Sequence, residues 1–173
     1  MKPTQKHSTD YVNETTDKDT IVLHYTGGGS LSGAEATLAI KDYVNVHYAI
    51  DRDGTIYQYF PETAWAYHTG SGKLNDMHSI GIEIVNWGHL KRVGNDLLTW
   101  TGKRINWSEV QKCKAFRGFE YWQKLTPMQE LSLAWLIADI KTRYEVIVKT
   151  HAELNTKKLD FPPDYEQIKS LLG

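Results

Sequence analysis

Cysteine is almost missing from this chain: Cys113 stands alone among 173 residues. That excludes an intramolecular disulfide and any thiolate-rich zinc site. No apolar run approaches the roughly 18 residues that a membrane-spanning helix requires, so no membrane insertion is expected. Neither sign of charge prevails, with 20 Lys and Arg against 21 Asp and Glu. The basic footprint of a nucleic-acid-binding protein is therefore absent. The opening stretch MKPTQKHSTDYVNETTDKD has no apolar segment, so no signal peptide is expected and the site of synthesis is the cytoplasm. Repeats, low-complexity tracts and interdomain linkers are lacking too. What is present suffices for one core: 40% hydrophobic and 24% charged residues are near the globular average and argue against disorder. The expectation is a polar N-terminal arm over residues 1–19 and one domain over 20–173, acting as a monomer. Aromatic residues are plentiful, including six Trp and ten Tyr. A core uses many of these, and so does a carbohydrate- or peptide-binding groove.

The pattern of elements is mixed. TIVLHY (20–25) is a short β-branched run that predicts a buried strand, followed by a loop, Thr26-Gly27-Gly28-Gly29-Ser30. Ser32 and Glu35 have capping-box spacing and predict a helix over about 33–43. Two β-rich runs flank Asp51-Arg52-Asp53-Gly54 and predict a hairpin over 46–60. SIGIEIV (79–85) reads as a central strand, apolar on both faces except at Glu83. Gly94-Asn95-Asp96 suggests a second hairpin from HLKRV (89–93) into LLTWT (97–101), but the following stretch, 105–123, yields no assignment. Thr126-Pro127-Met128-Gln129 is a helix start with a capping box and Pro in the first turn, and the helix extends to about Tyr144. VIVKT (146–150) predicts another buried strand and 164–172 a closing helix. The fold class expected is α/β, or α+β: a central mixed β-sheet flanked by helices.

Two of the seven histidines, His24 and His151, stand at the ends of buried strands. If those strands are parallel neighbours, both imidazoles emerge at one sheet edge, where open sheets place their ligands. A hydrolytic zinc site needs three protein ligands and an open position. Asp160 is a candidate third ligand, and the alternative is a solvated loop aspartate. Cys113 is a poor candidate. A carboxylate between Ile82 and Ile84 is costly to bury unless it is paired or functional. Glu83 is thus either an acid–base group or half of a structural ion pair. Lys158, two residues before Asp160, projects the same way in an extended segment and could stabilise an oxyanion. Otherwise it is a surface lysine beside Lys157.

Six motifs in order, IVLHYT, VHYAIDRDGTIYQ, AWAYHTG, SIGIEIVN, the Thr126-Pro127-x-Gln129 start and THAELNTKKLD, resemble the zinc-dependent N-acetylmuramoyl-L-alanine amidases. That family includes phage amidase-type lysozymes, bacterial recycling amidases and animal peptidoglycan recognition proteins. The resemblance covers about 20–88 and 126–172 and leaves 89–124 as an insertion in a catalytic domain. It implies Zn2+ held by His24, His151 and Asp160, with Glu83 as catalytic acid/base and Lys158 as stabilising lysine. It implies peptidoglycan or muropeptides as the partner, in a groove to which His68, Trp65, Tyr48 and Trp87 contribute. Some phage relatives have a catalytic tyrosine where Val46 aligns, so Tyr48 is not given that role. Around the third ligand many relatives read arginine–lysine–x–aspartate–proline–glycine, where this chain has Lys157-Lys158-Leu159-Asp160-Phe161-Pro162. The implied reaction is hydrolysis of the amide between N-acetylmuramic acid and L-alanine, as in a phage endolysin that reaches the wall through a membrane lesion. The rival readings are a cytoplasmic recycling amidase, a binding module that does not cut, and a protein whose zinc is structural. A non-cutting member typically lacks a ligand, whereas all three positions here carry competent ones. A structural site is closed by four ligands, and no fourth is evident.

Overall fold

A computed structural model describes residues 1–6, 14, 16–38 and 44–172. Its centre is a six-stranded mixed sheet in the order β1-β4-β3-β5-β2-β11. These strands are β1 (Thr4–Gln5), β2 (Thr20–Tyr25), β3 (Tyr48–Ile50), β4 (Ile56–Gln58), β5 (Ser79–Ile84) and β11 (Ile147–Thr150). β3, β5, β2 and β11 run parallel, and β4 is antiparallel to β3 across the predicted hairpin. All six residues of β5 are buried, as a continuous apolar run in a parallel sheet requires.

The pleat sorts the side chains. Ile21, Leu23, Ile80, Ile82, Ile84, Tyr48 and Ile50 join one core cluster. Helix α3 (Pro127–Lys141) is bound to that face through Leu133, Leu136, Ile137 and Ile140. Its start is the one anticipated: Thr126 accepts from the Gln129 backbone N–H, and Gln129 reaches back to the Thr126 N–H. Ala49 and Val85 belong to a second cluster with Leu31 and Leu38 of helix α1 (Leu31–Leu38). That helix begins two residues before the expected start, so Ser32 lies in its first turn. Residues 39–43 of the expected helix lie outside the described residues.

The insertion is a second, antiparallel sheet, β8-β7-β6-β10-β9. It consists of β6 (His89–Val93), β7 (Asp96–Leu98), β8 (Arg104–Ile105), β9 (Val110–Phe116) and β10 (Phe119–Gln123). Trp122 and Cys113 tie it to the main core, and Leu90, Leu97, Ile105, Val110 and Tyr121 form a small core of its own. Three single-turn α-helices, α2 (Lys73–Met77), α4 (His151–Leu154) and α5 (Glu166–Lys169), and a 3-10 turn at Trp107–Glu109 complete the described residues. α5 is shorter than the helix expected over 164–172. The polar N-terminal arm is tied to the domain at two places. Thr4 and Gln5 pair in parallel with β4, and Thr16 and Lys18 are buried. Lys18 donates to the carbonyls of Ala64 and Met77, which ties the end of the arm to the domain. No helix among the described residues is long and apolar enough to cross a membrane.

Candidate metal centre

Register brings the candidate residues together. His24 of β2 pairs with Glu83 of β5, and Thr150 of β11 pairs with Leu23, which puts His151 opposite His24. Glu83, His24 and His151 thus form a row across three parallel strands at their carboxyl ends, on the face opposite α3. Thr150 is the N-cap of α4. Its backbone N–H donates to Glu153 in a capping box, which fixes His151 as the first helical residue. The loop from α4 to Pro162 carries Lys158 and Asp160. All five side chains line one cavity of about 440 Å³, with His68, Tyr25 and Tyr67 among its other walls.

His24 Nδ1 lies 2.8 Å from His151 Nδ1, and Asp160 Oδ2 lies 3.1 Å from His151 Nδ1 and 3.5 Å from His24 Nδ1. These spacings approach the ~3.4 Å edge of a tetrahedron with ~2.1 Å bonds to zinc. Hydrogen bonds also fix which nitrogens face inward. The Ser79 hydroxyl donates to the Asn75 carbonyl, so Ser79 Oγ accepts from His68 Nε2–H at 3.0 Å. His68 Nδ1 is then an acceptor, and His24 Nε2–H donates to it at 2.9 Å. His151 Nε2–H donates to the Thr69 carbonyl at 2.7 Å. In the neutral tautomers both Nδ1 atoms are therefore bare lone pairs. Two lone pairs and a carboxylate oxygen at these distances repel unless a cation lies between them. The three residues form a buried group that can hold a metal ion, and two imidazoles with one carboxylate suit zinc with a position left for water.

Electrostatics follow from burial. Burial, assisted by the nearby His151, lowers the His24 pKa to about 4, although Asp160 opposes it. His68 is driven well below its usual value, first by burial and then by neighbouring histidines. Burial alone would raise Asp160, but whenever His151 or His24 carries a proton on Nδ1 it holds the carboxyl below the usual carboxylate range. Glu83 moves the other way. Burial, reinforced by the charge of Asp160, raises its pKa to about 8, and Lys158 pulls it back. Among the described residues the Glu83 carboxylate has no salt bridge, so the structural ion pair considered from sequence does not form. Lys158 is exposed at the cavity wall.

Three expected groove residues lie elsewhere. Tyr48 pairs with Ile82 and not with Glu83, so the pleat sends it to the opposite face. There it is buried, and its hydroxyl donates to Glu62 at 2.7 Å. Trp65 does not line the cavity. It packs against Tyr67, 4.8 Å between ring centroids, under the Lys73 ammonium. Trp87 lines a separate groove with Trp100. His68 does line the cavity, but its ring nitrogens are committed to His24 and Ser79.

Other residues were missed from sequence. Asp76 accepts from the backbone N–H groups of His68 and Thr69 and from the Thr69 hydroxyl, which holds the carbonyl that receives His151. Gly81 lets the His68 ring lie on β5: a Cβ there would come within 2.9 Å of His68 Cγ. Arg117, at the β9–β10 turn, donates to the carbonyls of Ala152, Asn155 and Lys158 and so clamps the loop that bears Lys158 and Asp160. An Asp close behind a His-bearing loop and a Gly inside a strand are weak sequence signals, whereas Arg117 gives none.

Comparison with known proteins is consistent with this geometry. A search of curated proteins gives no match. The N-acetylmuramyl-L-alanine amidase AmiD from E. coli, solved with anhydro-N-acetylmuramic acid-L-Ala-D-gamma-Glu-L-Lys, is 26% identical with a TM-score of 0.63. The match covers 93% of this chain and 60% of the AmiD chain, so this chain spans less than two thirds of that relative. AmpD is 18% identical with a TM-score of 0.66, over 99% of this chain and 94% of its own. The N-acetylmuramoyl-L-alanine amidase LysC from Clostridium intestinale URNW is 17% identical with a TM-score of 0.58, over 98% of each chain. At 18% and 17% identity these two show a shared fold. The N-acetylmuramoyl-L-alanine amidase family model matches residues 14–163, most of the chain, and the chain belongs to that family.

Proposed function

We propose that the protein hydrolyses the amide between N-acetylmuramic acid and L-alanine in peptidoglycan, with zinc held by His24, His151 and Asp160. The observation that carries this reading is the row of Glu83, His24 and His151: a buried carboxylate, without an ion-pair partner among the described residues, beside converging donors. Zinc, when bound, supplies Lewis acidity that makes water more acidic and an amide carbonyl more electrophilic near neutral pH. Glu83 takes the proton of the water that attacks the carbonyl carbon. Burial raises its affinity for that proton into a range where it is both accepted and returned. Glu83 then gives the proton to the alanine nitrogen as the C–N bond breaks, so the carboxylate is regenerated. Lys158 faces the negative charge that develops on the carbonyl oxygen. His68 and Thr69 hold the two imidazoles in the orientation that leaves Nδ1 free.

The substrate in this reading is wall polymer, as for a phage endolysin made in the host cytoplasm. A recycling amidase would instead favour soluble muropeptides, and a non-cutting module would leave both intact. The test is incubation of purified sacculi with zinc-loaded protein, followed by mass analysis of what is released. Stem peptides with a free L-alanine amine should appear, stop with a chelator and return with zinc. Release of saccharides alone, or no release at all, would overturn the assignment.

A further inference from the structure

Beyond the catalytic cavity lies a second groove of about 450 Å³. The loop Gly27–Ser30, Trp87, Trp100 and Lys103 line it, with Lys103 Nζ over the Trp87 ring at 5.9 Å from its centroid. The loop begins three residues after His24, so groove and cavity adjoin along the chain. Trp100 belongs to the insertion and is 72% exposed. Leaving so much apolar surface in water forgoes the gain from burying it, and an unrestrained indole would also be mobile. Here the ring is fixed, because its Nε1–H donates to the Gly27 carbonyl at 2.6 Å. Trp87 lies against Gly29 so closely that a Cβ there would come within 2.8 Å of Trp87 Nε1. The groove therefore presents two held indoles, one with its polar edge already bonded and its flat face open. Its lining contains one cation and no carboxylate.

We propose that this groove binds N-acetylhexosamine units of the glycan strand next to the muramyl residue whose stem peptide is cut. The proposal rests on the amidase reading above and adds the part of the substrate recognised. A pyranose ring presents a C–H face that stacks on an indole, while its amide and hydroxyls stay at the wet rim. Fixing the aromatic surface beforehand reduces the ordering cost of binding. A stem peptide bears several carboxylates and would call for more than one cation. Because the groove takes sugars beyond the muramyl unit, the enzyme favours strands over a single muramyl-peptide.

The test uses the full chain, loaded with zinc, and the variants Trp100→Ala and Trp100→Phe. Calorimetry measures binding of the N-acetylglucosamine tetramer, and melting temperature establishes that each variant is folded. Cleavage is compared on polymeric glycan and on muramyl-peptide without a chain. Trp100→Ala should weaken tetramer binding tenfold or more. It should also lower the ratio of kcat/KM on polymer to that on muramyl-peptide by a similar factor, mainly through KM. Trp100→Phe should keep part of both, since a ring remains without the Nε1 bond. Failure of wild-type protein to bind the tetramer, equal binding by folded Trp100→Ala, or an unchanged ratio would overturn the proposal. If the tetramer binds through Trp100 but neither substrate is cut, the saccharide site stands and the amidase reading fails.

Discussion

Ser79 lies two residues outside the metal-facing set, yet its hydroxyl decides which nitrogen of His24 is free. The order runs from the Asn75 carbonyl through Ser79 and His68 to His24 Nε2, with a donor at each step. Ser79→Ala removes the acceptor for His68 Nε2–H, and the His68 proton is then no longer assigned. Zinc affinity should fall by about 10- to 100-fold, the usual effect of losing a partner behind a ligand, while Ser79→Thr should retain most of it. Competition against a chromophoric chelator measures this, and equal affinity in all three proteins would show that the chain of donors is not what orients His24. His47 makes a different demand. It is fully buried, donates from Nε2 to the Ala64 carbonyl and accepts at Nδ1 from the Gly81 N–H, so it must be neutral. Burial, with the Lys18 charge nearby, lowers its pKa to about 3. The folded-state pKa thus lies below the unfolded value near 6.5. Between those values the unfolded chain binds the extra proton, so stability is intact above pH 6.5 and declines as pH falls towards 3. The slope from this group is about 1.4 kcal/mol per pH unit. Urea unfolding at pH 7, 6, 5 and 4 should show the decline, and a folded His47→Gln protein should show a shallower one.

At the scale of elements, Arg117 of the insertion hydrogen-bonds the loop that bears Lys158 and Asp160. Arg117 has positive φ, at 50°, in the β9–β10 turn, and its guanidinium is spread over three carbonyls of the segment that carries Lys158 and Asp160. Arg117→Ala should loosen that segment. Amide exchange over 152–160 should quicken, and turnover should drop about tenfold, less than the ~10² cost of a 1 Å misplacement. Unchanged exchange there would mean that Pro162, Pro163 and the contacts of Asp160 hold the loop unaided. The same contrast explains what the sequence disclosed. β2, β5 and α3 were legible because each carries a local signal: a β-branched run, a continuous apolar run, and Thr126 with Pro127 and Gln129. In the insertion, Gly94-Asn95-Asp96 disclosed the β6–β7 hairpin, whereas β8, β9 and β10 have half-exposed patterns and gain their stability from cross-strand pairing, which a linear reading does not contain. Thr4–Gln5 is too short to bear any pattern. The placement of Tyr48 failed for a related reason: facing is set by register, and one residue of register moves a side chain to the other face.

For the molecule as a whole, parallel packing of β5, β2 and β11 brings together residues 83, 24 and 151, and the α4 loop adds 158 and 160. That assembly was partly legible, since strand-end histidines on parallel neighbours must share an edge. The relay through His68 and the hold of Asp76 on Thr69 were not, because they depend on distances between loops. Glu83 is, in the proposed reaction, a working acid–base group; the alternative is a buried charge kept for structure. Glu83→Gln preserves size and removes the proton acceptor. One sample of that variant, assayed for zinc content, melting temperature and release of stem peptides from sacculi, separates the two. The prediction is full zinc, a melting temperature close to that of the wild type, and a hydrolysis rate lower by about 10²–10⁴. Release of stem peptides at a near-normal rate by the folded, zinc-loaded variant would contradict it.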